Sequence, residues 1–354
     1  MPEIIHFSEV GPYSQKLVGG KGYSLGMMTQ NGISVPDGFI VTTTVFDRFY
    51  DKNFDKIEKD IFASFEKLGC EFVAVRSSAN CEDSLDNSFA GQFDSFLNTS
   101  RENLIDNIKK CWDSLNSQRC QEYLSQRNIN KKSVKVAVMI QKMVQSEVAG
   151  VAFTINPVTN DTDQVVIEAA YGLGEAVVSG QITPDNYIWD KLNNKIVNKK
   201  IEKQTKGLFK DAKNKNKWQK IGTDKQNVQI LTDSQITDLV DVVYKIKNYY
   251  NHDCDIEWAF ADGRFYITQS RPITTIEQKD IFIETYEETE KILPYLAIPL
   301  VNTTSGLSKY NLANYTKLGM NYKGDSLYPL MLKKIKQIWC LKVWWIEYLW
   351  TEIL

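Results

Sequence analysis

The sequence predicts an α/β protein of the mixed α+β kind. Short β-branched and apolar runs bounded by turn residues, over 134–140, 150–154 and 164–168, read as strands. Two stretches, 103–126 and 232–250, instead place apolar residues every three to four positions and read as helices. With 354 residues, at roughly 150 per domain, the chain suits two domains or one two-lobed unit, with ample length to bury a core.

The elements follow in order. Gly19-Gly20-Lys21-Gly22 precedes a helix over 23–31, which Gly32 ends. The turn Val35-Pro36-Asp37-Gly38 leads into a strand at 39–42 and a helix at 44–50. A strand at 71–76 runs into a polar stretch, 77–86. Leu104, Ile108, Trp112 and Leu115 mark one face of a single amphipathic helix over 103–126. The strands at 134–140, 150–154 and 164–168 look adjacent in one sheet. Residues 190–220, rich in Lys and Asn, read as one exposed hairpin and loop, its charge either a solvated face or, on the sharper reading, an attraction for phosphate. Ile236, Leu239, Val240, Val243 and Ile246 carry the helix over 232–250, capped by Thr232, Asp233 or Ser234. Strands at 255–260 and 264–269 form a hairpin about Ala261-Asp262-Gly263. A boundary falls near residue 276. Beyond it Trp339, Trp344, Trp345 and Trp350 alternate with charges, as a helix packed on its own protein, a docking face or, least favoured, a membrane-interface helix.

Composition removes several function classes. The 42 Lys and Arg nearly balance 44 Asp and Glu, a net charge of −2, so no overall basic field favours nucleic acid. No apolar run reaches the roughly 18 residues of a membrane span. The first ten residues lack a basic stretch followed by an apolar one, and a cytoplasmic location is expected. Six Cys without a CxxC pair argue against a zinc site and for reduced thiols. His6 and His252 are the only histidines, so any histidine chemistry has two candidates.

Four clusters carry chemistry. A glycine turn at a helix start lets N–H groups approach an anion, and Lys21 adds a compact charge; a structural turn is the alternative. Arg76 ends a strand beside Ser77 and Ser78, facing the turn Phe89-Ala90-Gly91-Gln92, and suits bidentate binding of phosphoryl oxygens, or a pair with Glu82 or Asp83. Asp255 and Glu257 project from one strand face with Gln269 opposite and Arg271 beside it, an oxygen-rich set for Mg²⁺ or else a solvated face with a salt bridge. Glu168 ends a strand before Gly172 and Gly174, as a ribose acceptor or an ordinary acid.

In order along the chain, GGKG, VRSSANCEDSLDNSFAGQFDSFLN, IQKMV, GVAFTINP, EAAYGLGEAVVSGQITPDNY and DIEWAF with FYITQSRPIT resemble one family. It is the N-terminal nucleotide-binding domain of phosphoenolpyruvate synthase, pyruvate phosphate dikinase and rifampicin phosphotransferase, and the likeness covers about residues 8–276. The resemblance implies an ATP-grasp-like, two-lobed domain binding Mg-ATP, with lobes at 1–143 and 144–276 and a mostly helical extension at 277–354. It implies phosphate contacts from Lys21, Arg76 and Arg271, a glycine turn at Gly91, and metal-proximal Asp255, Glu257 and Gln269. Gln141, Met143 and Val144 fall at the hinge that meets adenine, and Glu168 at the ribose. In the enzymes it resembles, the β-phosphoryl group passes to a histidine on a swivelling domain, releasing AMP and phosphate, and the resemblance implies the same here. Neither His6 nor His252 matches that histidine motif, so the carrier is expected in trans or missing from the chain. The alternatives are a nucleotide-binding module without transfer, or a truncated antibiotic kinase of the rifampicin phosphotransferase kind.

Overall fold

Among the described residues the long apolar strands enter two antiparallel sheets, of five and six strands. The computed structural model describes residues 1–46, 48, 54–80, 93–127, 129–212 and 214–273. Gly91, the far end of the helix expected to reach residue 50, and the extension over 277–354 lie outside these. The chain divides into the units Met1–Ile276 and Glu277–Leu354, and all the described residues belong to the first.

The first half builds a five-stranded sheet. β1 (Ile4–His6) leads to α1 (Gln15–Gln30), β2 (Gly38–Val41), α2 (Thr43–Phe46), α3 (Phe54–Leu68), β3 (Val73–Ala79) and β4 (Ser95–Thr99). α4 (Leu104–Asp113), α5 (Gln118–Gln126) and β5 (Val136–Lys142) complete it, in the order β1-β2-β5-β3-β4. β5 is buried on both faces over all but its last residue, which is why its sequence is an uninterrupted apolar run. One face packs against α3, α4 and α5 through Ile61, Phe65, Ile108 and Trp112. On the other face Ile40, Ala137 and Met139 meet Val18, Leu25 and Met28 of α1.

The second half builds a six-stranded sheet from β6 (Val148–Phe153), β7 (Gln164–Tyr171), β8 (Asp185–Asp190) and β9 (Lys195–Lys200), with α6 (Glu175–Val178) after β7. β10 (Lys206–Lys210) and β11 (Asn216–Lys220) form a separate two-stranded sheet, joined to the rest by a bridge from Leu208 to Gly172. α7 (Asp233–Tyr250), β12 (Cys254–Ala261) and β13 (Arg264–Pro272) close the unit, and the sheet order is β13-β12-β6-β7-β8-β9. α7 starts in a capping box between Thr232 and Gln235, satisfying N–H groups that a helix start leaves unpaired. Its stripe Ile236, Leu239, Val240, Val243 and Ile246 is wholly buried, each side chain contributing about 1.5–3 kcal/mol of apolar burial. The core around α7 is continuous with that of α1, so α1 is shared by both sheets.

The α+β class is the one the sequence predicts; several local readings differ. Residues 103–126 form two helices, because Ser117 is extended and its Oγ accepts the Cys120 N–H as the cap of α5. β5 does not neighbour β6: it inserts between β2 and β3, where both its faces are covered. The strand at Arg76 continues through Ser77 and Ser78, whose hydroxyls donate to the Asp94 and Val18 carbonyls and so tolerate burial. Residues 190–220 hold two hairpin turns rather than one, each with an asparagine in the left-handed region, Asn194 and Asn214. The Asp262-Gly263 turn has positive φ at both residues, 51° and 75°, as a two-residue hairpin requires.

Candidate functional site

The site is built where β12 and β13 face the middle of β3, at Arg76. Strand alternation sends Ile256 and Trp258 of β12 into the α7 core and Asp255 and Glu257 to the opposite face. Register then decides the partners: Asp255 lies opposite Arg271, and Glu257 opposite Gln269. Arg271 Nε donates to both carboxylate oxygens of Asp255, at 2.8 and 2.7 Å. Burial pushes the Asp255 carboxyl up to about 6, against the pull of the Arg271 guanidinium.

Arg76 reaches this face from β3. Its Nη1 donates to the Thr268 carbonyl at 2.7 Å and its Nη2 to Gln269 Oε1 at 2.5 Å. Glu257 Oε2 lies 3.4 Å from the same Nη2. One guanidinium therefore joins the two sheets and gathers Glu257 and Gln269, a side chain only 4% exposed. The alternative pairing of Arg76 with Glu82 or Asp83 concerns residues outside those described.

The glycine run is a close-packing device as well as a helix start. α1 begins earlier than expected, at Gln15, and kinks at Gly19 with φ 73°. A Cβ there would stand 2.1 Å from the Ser78 carbonyl oxygen, a contact no side chain tolerates. The Gly22 N–H is taken by Ser78 Oγ at 3.0 Å, so this donor is not offered to an anion. Lys21 donates to the Ser77 carbonyl at 3.4 Å, one residue from Arg76.

The rest of the predicted set spreads along the second sheet and the link between the sheets. Gln269, Glu257, Val151, Glu168 and Asn186 stand in one row across five strands. Burial raises the Glu168 carboxyl above its ordinary range. Gln141 is buried with its Nε2 donating to the Pro36 carbonyl at 3.4 Å, so its amide is turned into the protein. Met143 follows β5, donates its N–H to the Phe72 carbonyl, and packs with Leu97, Leu173, Ala176, Ile182, Leu208 and Trp218. Val144 is half-buried beside it.

Sequence reasoning missed the clamp behind this face. Ser24 Oγ donates to the Ser270 carbonyl, and Tyr250 OH donates to the Ser24 carbonyl, tying α1 and α7 to β13 between Gln269 and Arg271. No spacing signal marks Ser24, because its partners are 226 and 246 residues away. Of the two histidines, His6 lies in β1, whereas His252 stacks on Tyr250 of this clamp and faces Cys254 Sγ at 3.3 Å.

The family pattern "Pyruvate phosphate dikinase, AMP/ATP-binding domain" matches residues 15–67 and 53–291. The chain belongs to this family. A probable phosphoenolpyruvate synthase of Archaeoglobus fulgidus is 37% identical over 337 residues, covering 82% of this chain and 44% of the relative. A rifampicin phosphotransferase of Bacillus cereus is 35% identical, covering 77% and 36%. The chain thus spans less than half the length of these relatives. A D-alanine–D-alanine ligase of Bacillus anthracis aligns over 73% of this chain and 58% of its own at 12% identity, with a TM-score of 0.32, too low to bear on the fold. Among the described residues no helix is long and apolar enough to cross a membrane.

Proposed function

We propose that residues 1–276 form an ATP-grasp-like unit of two lobes, 1–143 and 144–276, that binds Mg-ATP and donates a phosphoryl group to a histidine on a separate domain. The observation that carries this is the Arg76 guanidinium held between Thr268, Gln269 and Glu257. A cation tied to both sheets and poised over a carboxylate and an amide is what a polyphosphate needs on one side and a divalent ion on the other.

Lys21, Arg76 and Arg271 supply three cations to the phosphates, and Arg76 and Arg271 can bind phosphoryl oxygens in bidentate fashion. Asp255 orients Arg271 through its two bonds to Nε. Among the described residues no three His, Cys, Asp or Glu side chains converge into a metal cage. The oxygen set of Asp255, Glu257 and Gln269 nonetheless fits a hard cation that keeps most of its coordination in phosphate and water. Bound there, Mg²⁺ supplies charge neutralisation at the phosphoryl oxygens. The chain's own part is positioning and electrostatic stabilisation, since phosphoryl transfer asks for little covalent work from the protein. Met143, Val144 and the apolar cluster around them receive the purine, and Glu168 accepts from the ribose hydroxyls. Gly91 remains proposed as part of a glycine turn over the phosphates.

Incubation with Mg-ATP and a separately produced histidine domain of the family tests the reading, with AMP release and phosphohistidine as the measurements. AMP formed only with that domain present supports it. Absence of phosphohistidine with a competent domain sinks it; tight ATP binding that survives Arg76→Ala, without turnover in any pairing, leaves a nucleotide-binding module instead. The final acceptor belongs to whatever domain carries that histidine, so no acceptor is assigned.

A further inference from the structure

Strand β4 does not run straight. Its register against β3 slips between Val73 opposite Thr99 and Val75 opposite Phe96, and inside the slip Asn98 takes φ of 50°. Asparagine tolerates this left-handed region better than most residues, and a bulge re-aims a side chain that strict alternation would send elsewhere. Asn98, 7% exposed, thereby becomes the centre of a chain of side-chain hydrogen bonds. Gln145 Nε2 donates to Asn98 Oδ1 at 2.5 Å, and Asn98 Nδ2 donates to Asn216 Oδ1 at 2.6 Å. Asn216 Nδ2 in turn donates to Glu175 Oε2 at 3.2 Å.

The direction of the chain follows from its end. An ionised carboxylate only accepts, so Asn216 must present its NH₂ to Glu175 and its oxygen to Asn98. Asn98 then presents NH₂ to Asn216 and its oxygen to Gln145. One carboxylate sets the orientation of three amides, and aligned bonds of this kind polarise one another.

The same four segments make the apolar patch around Met143. Leu97 precedes Asn98, Met143 lies two residues before Gln145, Ala176 follows Glu175, and Trp218 lies two residues after Asn216; all four belong to one hydrophobic cluster. Leu208 of that cluster faces Trp218 in the β10–β11 register. Lys210 of the same hairpin lies 4.0 Å above the Phe72 ring, a second tie to the first half. The hairpin is anchored as well by Leu208, which bridges Gly172 and accepts the Leu173 N–H at 2.8 Å.

We propose that Asn98 is a positioning residue for the base end of the nucleotide. Its amide bonds lock the β10–β11 hairpin, α6 and the segment after β5 in the one arrangement that presents a preformed apolar wall to a purine. This rests on the assignment of the Met143 cluster to the base.

Calorimetric titration of the full chain with Mg-ATP, and separately with Mg²⁺ and inorganic tripolyphosphate, tests it in wild type, Asn98→Ala and Asn216→Ala. Asn98→Ala should weaken ATP about tenfold or more while tripolyphosphate changes by less than about twofold, as expected when a buried hydrogen-bonding centre is removed from the base side alone. Asn216→Ala, at the exposed end, should show the same selectivity with a smaller loss. Equal losses with both probes, or ATP affinity unchanged in a folded Asn98→Ala protein, overturns the proposal. Should Asn98→Ala fail to fold, an unchanged ATP affinity in Asn216→Ala overturns it instead. A wild-type chain that binds tripolyphosphate as tightly as ATP refutes the base-side assignment, whereas one that binds neither refutes the nucleotide site itself.

Discussion

The β12–β13 and β10–β11 hairpins are built alike and held differently. The first has strands of 8 and 9 residues, forms one edge of the six-stranded sheet, and along β12 divides into a core face and a charged face. The second has strands of 5 residues, carries Lys206, Lys210, Lys217 and Lys220, and buries only Gly207 and Leu208. Burial of alternate residues sets the register of β12–β13, because a slip by one would turn Trp258 to the site and Glu257 into the core. β10–β11 lacks that penalty and is held by contacts to Asn98, Glu175 and Phe72 and by the backbone of Leu208 against Gly172 and Leu173. One hairpin brings its own position with it; the other is placed by its neighbours.

The sharpest way to break this contrast is to remove the large residue at each centre. Trp258 is 1% exposed and meets Phe265 edge-on at 5.5 Å, so Trp258→Ala should cost about 3–5 kcal/mol in denaturant unfolding. Trp218→Ala, on the half-exposed hairpin under Lys206, should cost about 1 kcal/mol or less. Similar costs would mean that both hairpins are parts of one core. Next in size, Arg76→Ala removes the bonds that bring the first sheet to β13 and should weaken ATP about 100-fold by titration calorimetry. A loss of only a fewfold would detach Arg76 from the phosphates. Glu257→Ala should weaken Mg-ATP about tenfold more than metal-free ATP, since a carboxylate facing a hard cation acts only when the cation is there. Equal loss for both forms would leave Glu257 a partner of Arg76 and nothing more.

The smallest effect comes from a third hairpin, β8–β9. Lys191, just after β8, donates to the Thr154 carbonyl at 2.6 Å and to that of Thr162. Burial, with Lys247 nearby, lowers its pKa to about 8. Between about pH 8 and the ordinary lysine value of 10.5, the unfolded chain holds a proton that the native chain has lost, so this group makes stability rise with pH. The gain should be on the order of 1 kcal/mol after solvent screening is allowed for. Unfolding curves of Lys191→Met should be flatter over that window; an unchanged slope would assign the pH dependence to other groups.

Much of the fold and of the site is legible in the chain. The alternation in DIEWAF and FYITQSRP, closed by Asp262-Gly263, gives the hairpin and pairs Trp258 with Ile267, but it would set Glu257 opposite Thr268; a bulge at that point, which the sequence does not announce, brings Gln269 opposite Glu257 instead. Thr232 and the apolar stripe behind it define α7 within one residue of its observed start. The GGKG run reads as a special backbone site, yet its need for glycine at 19 comes from Ser78, which local sequence does not reveal. The single helix expected over 103–126 breaks at Ser117, where a side-chain cap competes with a period that otherwise continues. The lysine- and asparagine-rich stretch reads as one hairpin because its polarity hides the two asparagine turns.

Local sequence determined the strands, the caps, the turn of the β12–β13 hairpin and the face that Asp255 and Glu257 would share on β12. These depend on periods of 2 and 3.6 and on φ preferences, which act within a few residues. The tertiary structure alone decided that Arg76 meets Gln269, 193 residues away, and that Asn98 meets Asn216 across 118. Such pairs form only after sheet order, the insertion of β5 and the kink of α1 have brought distant segments together. They are chosen by packing and by the need to satisfy buried donors and acceptors, and neither leaves a periodic trace in the chain.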